Sequence, residues 1–87
     1  MFRYLGDQQI DDLSAAVALS PPAGCQGAVI QAQAQNVRGR GGGSDPTAAV
    51  GWEITAGSTI TWLILPISGL KLIQEAAGAK AFVIYVA

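Results

Sequence analysis

Ala28-Val29-Ile30-Gln31-Ala32-Gln33-Ala34-Gln35 places Ala28, Ile30, Ala32 and Ala34 on one side of an extended chain and Gln31, Gln33 and Gln35 on the other. Alanine and glutamine are good helix formers, so a helix competes for this segment. Alternation over at least seven residues and the β-branched pair Val29-Ile30 favour a strand, here over Ala28 to Val37. Neighbouring segments repeat the signal. Leu13, Ala15, Val17 and Leu19 share one side of an extended stretch, which Ser20-Pro21-Pro22-Ala23-Gly24 ends, because neither proline can donate to a ladder. Trp52-Glu53-Ile54 reads as a short strand, Ala56-Gly57-Ser58 as a turn, and Ile60 to Leu65 as a strand stopped by Pro66. Leu70 to Gln74 is another strand, Glu75 to Lys80 a connection, and Ala81 to Val86 a last strand. Arg38 to Thr47 holds four glycines and one proline in ten residues and reads as a loop. Turn signals every 8–12 residues or so predict an all-β fold, a small antiparallel β-sandwich or barrel of five to seven short strands.

The chain has 87 residues, which fits one domain over 1–87 with a radius of gyration near ~12 Å. Half of it is apolar (51%) and little is charged (13%), so disorder is not expected. The longest strongly apolar run, Ile60 to Ile67, is interrupted by Thr61 and Pro66 and is too short for a helical membrane span, which needs about 20 residues. The stretch Met1 to Asp7 lacks the continuous apolar segment of a signal peptide. A net charge of −1 supplies no global field toward nucleic acid or an anionic membrane.

The side-chain inventory argues against chemistry. No histidine is present, which removes the commonest general base and transition-metal ligand. The single Cys25 allows neither an internal disulfide nor a cysteine-cluster zinc site, and reads as a small apolar residue. Ser44 and Ser58 have no histidine partner; a pair with Lys71 or Lys80 is the residual catalytic option. The Gly-rich loop lacks the lysine of a phosphate cradle and the βαβ setting of a dinucleotide fingerprint. Its Arg38-Gly39-Arg40-Gly41-Gly42 has the form of one arginine–glycine box of the kind that binds RNA, but a solvated loop explains it as well. Asp7, Asp11 and Asp12 lack the glycine and distal glutamate of a calcium loop, so a solvated acidic turn is the expectation. Trp52 and Trp62 could stack on sugars or bases, but in strands they read first as core or interface anchors. The expectation is a protein that is not an enzyme and has no cofactor or metal.

Large apolar residues, alanine and cysteine apart, number 12 over residues 1–51 and 16 over 52–87. The last strands are apolar on both faces: Ile60, Trp62 and Ile64 oppose Leu63 and Leu65, and Phe82, Ile84 and Val86 oppose Val83 and Tyr85. A sandwich strand ordinarily buries one face and wets the other. Either loops cover the second face or another molecule does, and the partner is the favoured reading. Each large side chain removed from water contributes roughly 1.5–3 kcal/mol, so a patch of them drives association.

Pro22-Ala23-Gly24, Ala28-Val29-Ile30-Gln31-Ala32, Asn36-Val37-Arg38 with Arg40, Asp45-Pro46-Thr47-Ala48 with Gly51, Ala56-Gly57, Leu72-Ile73 and Gly78-Ala79-Lys80 occur in this order. With its β-rich end, the chain over about residues 19–86 resembles small β-rich virion structural proteins of tailed bacteriophages. Where that family carries acidic residues after the second arginine, Gly41-Gly42-Gly43-Ser44 stands here, and Phe82 to Val86 is more apolar than the family's end. The resemblance implies a capsid decoration, or cement, protein on the surface of the phage particle, assembled in the host cytoplasm. A tail or head-to-tail component is the alternative, and a nucleic-acid or carbohydrate binding module a further one. The expected partners are further copies of the chain, a trimer by analogy, and the major capsid protein or another virion protein; no membrane is involved and nucleic acid is not expected. Trp62, Leu63, Ile64, Leu65, Ile67, Phe82 and Tyr85 would bury against a neighbour, with Arg38, Arg40 and Asp45 making loop contacts at the rim.

Overall fold

A computed structural model describes residues 2–63 and 66–87. Within them the chain forms eight strands: β1 (Tyr4–Ile10), β2 (Val17–Ala18), β3 (Gly27–Gln33), β4 (Val37–Arg40), β5 (Trp52–Ile54), β6 (Thr59–Trp62), β7 (Lys71–Gln74) and β8 (Lys80–Val86). A 3-10 turn spans Ile67–Gly69. Two four-stranded sheets result, in the orders β1-β8-β3-β6 and β2-β7-β4-β5, and every pairing is antiparallel. This is the expected β-sandwich, open rather than closed into a barrel, with one strand more than the expected range. The radius of gyration is 11.6 Å.

The core lies between the sheets. Alternation along β3 turns Ala28, Ile30 and Ala32 inward, opposite Ala81, Val83 and Tyr85 of β8. Val37, Ile54 and Leu72 meet them from the second sheet, and all are buried. The alanines let the sheets approach, and the larger residues fill the space between them.

Four expectations are corrected. The segment expected as one strand over Ala28 to Val37 is two strands in different sheets: Ala34 takes a left-handed φ of 67°, and the chain turns there from β3 into β4. Arg38 to Arg40 is a strand, not loop, because Gly39 lies buried beneath Leu72 while the arginines alternate outward. The stretch Leu13 to Leu19 keeps only two residues of regular strand. Its ends pair with the flanks of β7 (Gln74 N–H to Leu13 O, 3.0 Å; Leu19 N–H to Leu70 O, 3.1 Å). Its middle is diverted where the Asp12 carboxylate accepts from the Ser14 backbone N–H at 3.0 Å and hydroxyl at 2.7 Å. Finally, β1 was not anticipated. Its large core-packed residues are Leu5 and Ile10, five positions apart with a register shift between Tyr4 and Gly6, and Gly6 and Gln8 take the inward positions between them, so no hydrophobic alternation marks it. Backbone pairing to β8 holds it instead.

Candidate functional site

The two sheets meet at two long seams. At the β5/β6 seam, Trp52 and Trp62 close the core with ring centroids 4.1 Å apart and planes inclined at 56°. Trp62, facing inward from β6 opposite Ala28, is buried, and Trp52, on the edge strand, is 50% exposed. The indole of Trp62 fits only because position 41 is glycine: a Cβ there would lie 2.7 Å from its Cζ2. Gly51 has a φ of +129° and a Cβ on it would meet the Gly39 carbonyl oxygen at 2.8 Å, so the chain entering β5 also requires glycine. These close approaches leave a cleft of about 310 Å³ lined by Gly39, Arg40, Gly41, Val50, Gly51, Trp52 and Trp62. Its one charged side chain is Arg40, which is exposed and, among the described residues, makes no ion pair.

The outer face of the second sheet is finished with charge. Arg38 Nε donates to Glu75 Oε2 at 2.5 Å, its Nη1 donates to the Gly51 carbonyl at 3.0 Å, and its Nη2 lies 3.6 Å from Glu53 Oε2. It thereby ties β4 to β5 and to the end of β7. Lys71 Nζ donates to Asp45 at 2.8 Å beside it. Hydrogen bonding to Glu75 and the charge of that neighbour raise the pKa of Glu53 above its ordinary value; bonding from Glu53, and then from Arg38 and Asn36, lowers that of Glu75.

The outer face of the first sheet is different. Val29 on β3 and Phe82, Ile84 and Val86 on β8 point outward side by side and are only half-buried. Around them stand Gln31, Gln33, Thr59 and Thr61, with Asp7 and Lys80 as the charges on this face. The expectation that β8 is apolar on both faces therefore holds. Along β6 Ile60 and Trp62 turn inward and Thr59 and Thr61 outward; past its end Leu63 is exposed beside Val86, and Ile64 and Leu65 lie outside the described residues.

Several expected contact residues are placed elsewhere. Trp62, Ile67 and Tyr85 belong to the chain's own core, at 6%, 3% and 2% exposure, so a partner does not reach them. Tyr85 faces inward because alternation puts it opposite Ala28; its hydroxyl donates to Gln8 Oε1 at 2.5 Å and accepts from the Ser20 N–H at 3.1 Å, and burial raises its pKa. Leu63 is 51% exposed and Phe82 lies on the outer apolar face. Ile64 and Leu65 lie outside the described residues. Of the loop residues, Arg38 is engaged within its own sheet, Asp45 is exposed but bound to Lys71, and Arg40 is free at the cleft.

The sequence reading missed the cleft and its companion feature at the opposite edge, where Tyr4 is 60% exposed and its hydroxyl donates to the Asp7 carboxylate. Only the proximity of Gly41 to Trp62 in space makes the cleft, and no local pattern signals it. The three aspartates do not converge: Asp7 holds Tyr4, Asp11 accepts from Gln9, and Asp12 holds Ser14. No group of three or more potential metal-binding side chains comes together among the described residues, and no helix among them is long and apolar enough to cross a membrane. No protein-family model, curated protein or solved structure matches the chain.

Proposed function

We propose that this chain is a structural protein of a tailed-phage particle, a capsid decoration protein that works by contact and catalyses nothing. The observation that carries this reading is the outer face of the first sheet, where Val29, Phe82, Ile84 and Val86 form a half-covered apolar stripe on a sheet whose other face already fills the core. A sheet with one solvated face normally lines that face with polar residues; an apolar face rimmed by glutamine and threonine is the composition of a contact surface. The likeness in residue order to small virion proteins supplies the identity of the partner, a capsid lattice. The arginine–glycine segment lends little to nucleic-acid binding, because Glu53 and Glu75 offset Arg38 and the chain carries a net charge of −1.

The test is sedimentation of the purified chain with capsid shells, followed by electron cryo-microscopy of the particles. The expected result is stoichiometric coverage of the shell, lost in Ile84→Asp while that variant still unfolds cooperatively in urea. Shells bare of the wild-type chain overturn the reading, and a few copies confined to the tail move the protein to the tail.

A further inference from the structure

Four of the large exposed apolar residues among those described fall at opposite edges of the sandwich. Leu63 lies over Gly27 beside Val86 on the outer face of the first sheet; of the others, Val50 and Trp52 lie at the β5/β6 edge, and Phe2 and Tyr4 at the β1 edge. Val50 and Trp52 line the cleft, whose one charged side chain is Arg40. The β1 edge carries an aromatic ring whose hydroxyl is bonded to the carboxylate of Asp7. Tyr4 pairs with Val86, Val86 with Gly27, and the next residue, Ala28, with Trp62. The two features thus lie at nearly the same level along the strands, three strand spacings or about 14 Å apart across the sheet.

We propose that the cleft is a docking site for a second copy of this chain, which seats Tyr4 against Trp52 and Val50 and sets Asp7 against Arg40. A sugar would need several converging polar groups, and among the cleft's side chains only Arg40 is charged, with glycine and valine making up much of the rest. A nucleic-acid strand would need several free cations, and Arg38 and Lys71 are already paired. An aromatic residue accompanied by a carboxylate matches both the apolar walls and the sign of Arg40. Because different surfaces of the two copies meet, the contact is heterologous. Repeated, it closes into a ring or continues as a chain, according to the rotation between neighbours.

The proposal deepens the assembly reading and rests on it for the premise that the chain works by contact. Sedimentation velocity across concentration tests it. The wild-type chain is expected to associate, and Tyr4→Ala and Trp52→Ala each to weaken association at least about tenfold. Asp7→Arg and Arg40→Asp each weaken it alone, and the doubly reversed chain regains it. Arg3→Ala, which removes the cation beside Tyr4, leaves it within about twofold. Mixing the Tyr4→Ala chain, whose cleft is intact, with the Trp52→Ala chain, whose tyrosine is intact, gives a dimer that grows no further. A wild-type chain monomeric at every concentration, association indifferent to these substitutions, or a mixture that grows beyond dimers overturns the proposal. Capture of a foreign acidic, aromatic peptide by a monomeric chain overturns it in favour of another occupant. Shells decorated by a monomeric chain sink this contact and spare the virion reading; an associating chain that leaves shells bare does the reverse.

Discussion

The two seams of the sandwich are closed by opposite means. At the β1/β2 side a half-buried polar network bridges the sheets: the Tyr85 hydroxyl bonds Gln8 on β1 and the Ser20 N–H just after β2, and that N–H also reaches Gln8 Oε1 at 3.3 Å. At the β5/β6 side two indoles meet without sealing the edge, and a cleft remains beside them. A satisfied hydrogen-bond network fixes distances and leaves no room. A tilted aromatic pair tolerates looser geometry and leaves half of Trp52 in solvent. Both seams hold the sheets together, and at the aromatic seam the outer indole, Trp52, is left as a surface for contact.

The largest effect that can break this contrast is Trp62→Ala. Trp62 is 6% exposed, and its removal opens the core at the aromatic seam, with an expected loss of about 3–5 kcal/mol in urea unfolding. Next comes Tyr85→Phe, which removes the hydroxyl between Gln8 and the Ser20 N–H, leaves them only their own longer bond of 3.3 Å, and costs about 1.5 kcal/mol by the same measurement. Trp52→Ala is expected to cost less, about 1 kcal/mol, since half of the ring is already in water. If it proves as damaging as Trp62→Ala, Trp52 is structural and the contrast fails.

The smallest effect concerns what holds β5 in place. Glu53 titrates above its ordinary 4.5 because it is hydrogen-bonded to Glu75 and lies in the field of that carboxylate. A carboxyl raised in the folded state contributes stability that is fully present below its unfolded pKa and is lost as the pH rises through the raised value. Glu75, lowered, contributes stability that is present above its unfolded pKa and is lost as the pH falls through the lowered value. Glu53→Gln removes the titration of Glu53, while the amide can still donate to Glu75. Urea midpoints of the variant relative to the wild type should therefore climb as the pH is raised from about 4.5 toward neutrality. Both proteins should weaken together in stronger acid. A difference independent of pH would show that the two carboxyls do not interact.

Strands with a full hydrophobic period were legible in the chain: β5, β7 and β8 lie where alternation and turn residues put them, give or take a residue at their ends, and β3 starts where expected but stops at Gln33. Strands held by backbone pairing were not. β1 packs Leu5 and Ile10 on the core out of period-two phase, and β4 carries arginine and glycine, so neither announces itself. The contact residues divide in the same way. Period-two patterning shows that Phe82, Ile84 and Val86 share a face, but not which face of β8 is covered, so Tyr85 was assigned to a partner when it lies in the core.

What the amino-acid order determined alone is the class of fold, antiparallel and all-β, a sandwich or a barrel, with β8 apolar on both sides, because side-chain alternation is a local property of an extended chain. What only the tertiary structure decided is the crossing from β3 to β4 at Ala34, the pairing of Arg38 with Glu53 and Glu75, and the meeting of Trp52, Trp62 and Gly41. Each brings together residues that share no local pattern, and the packing of one sheet on the other sets the distances among them.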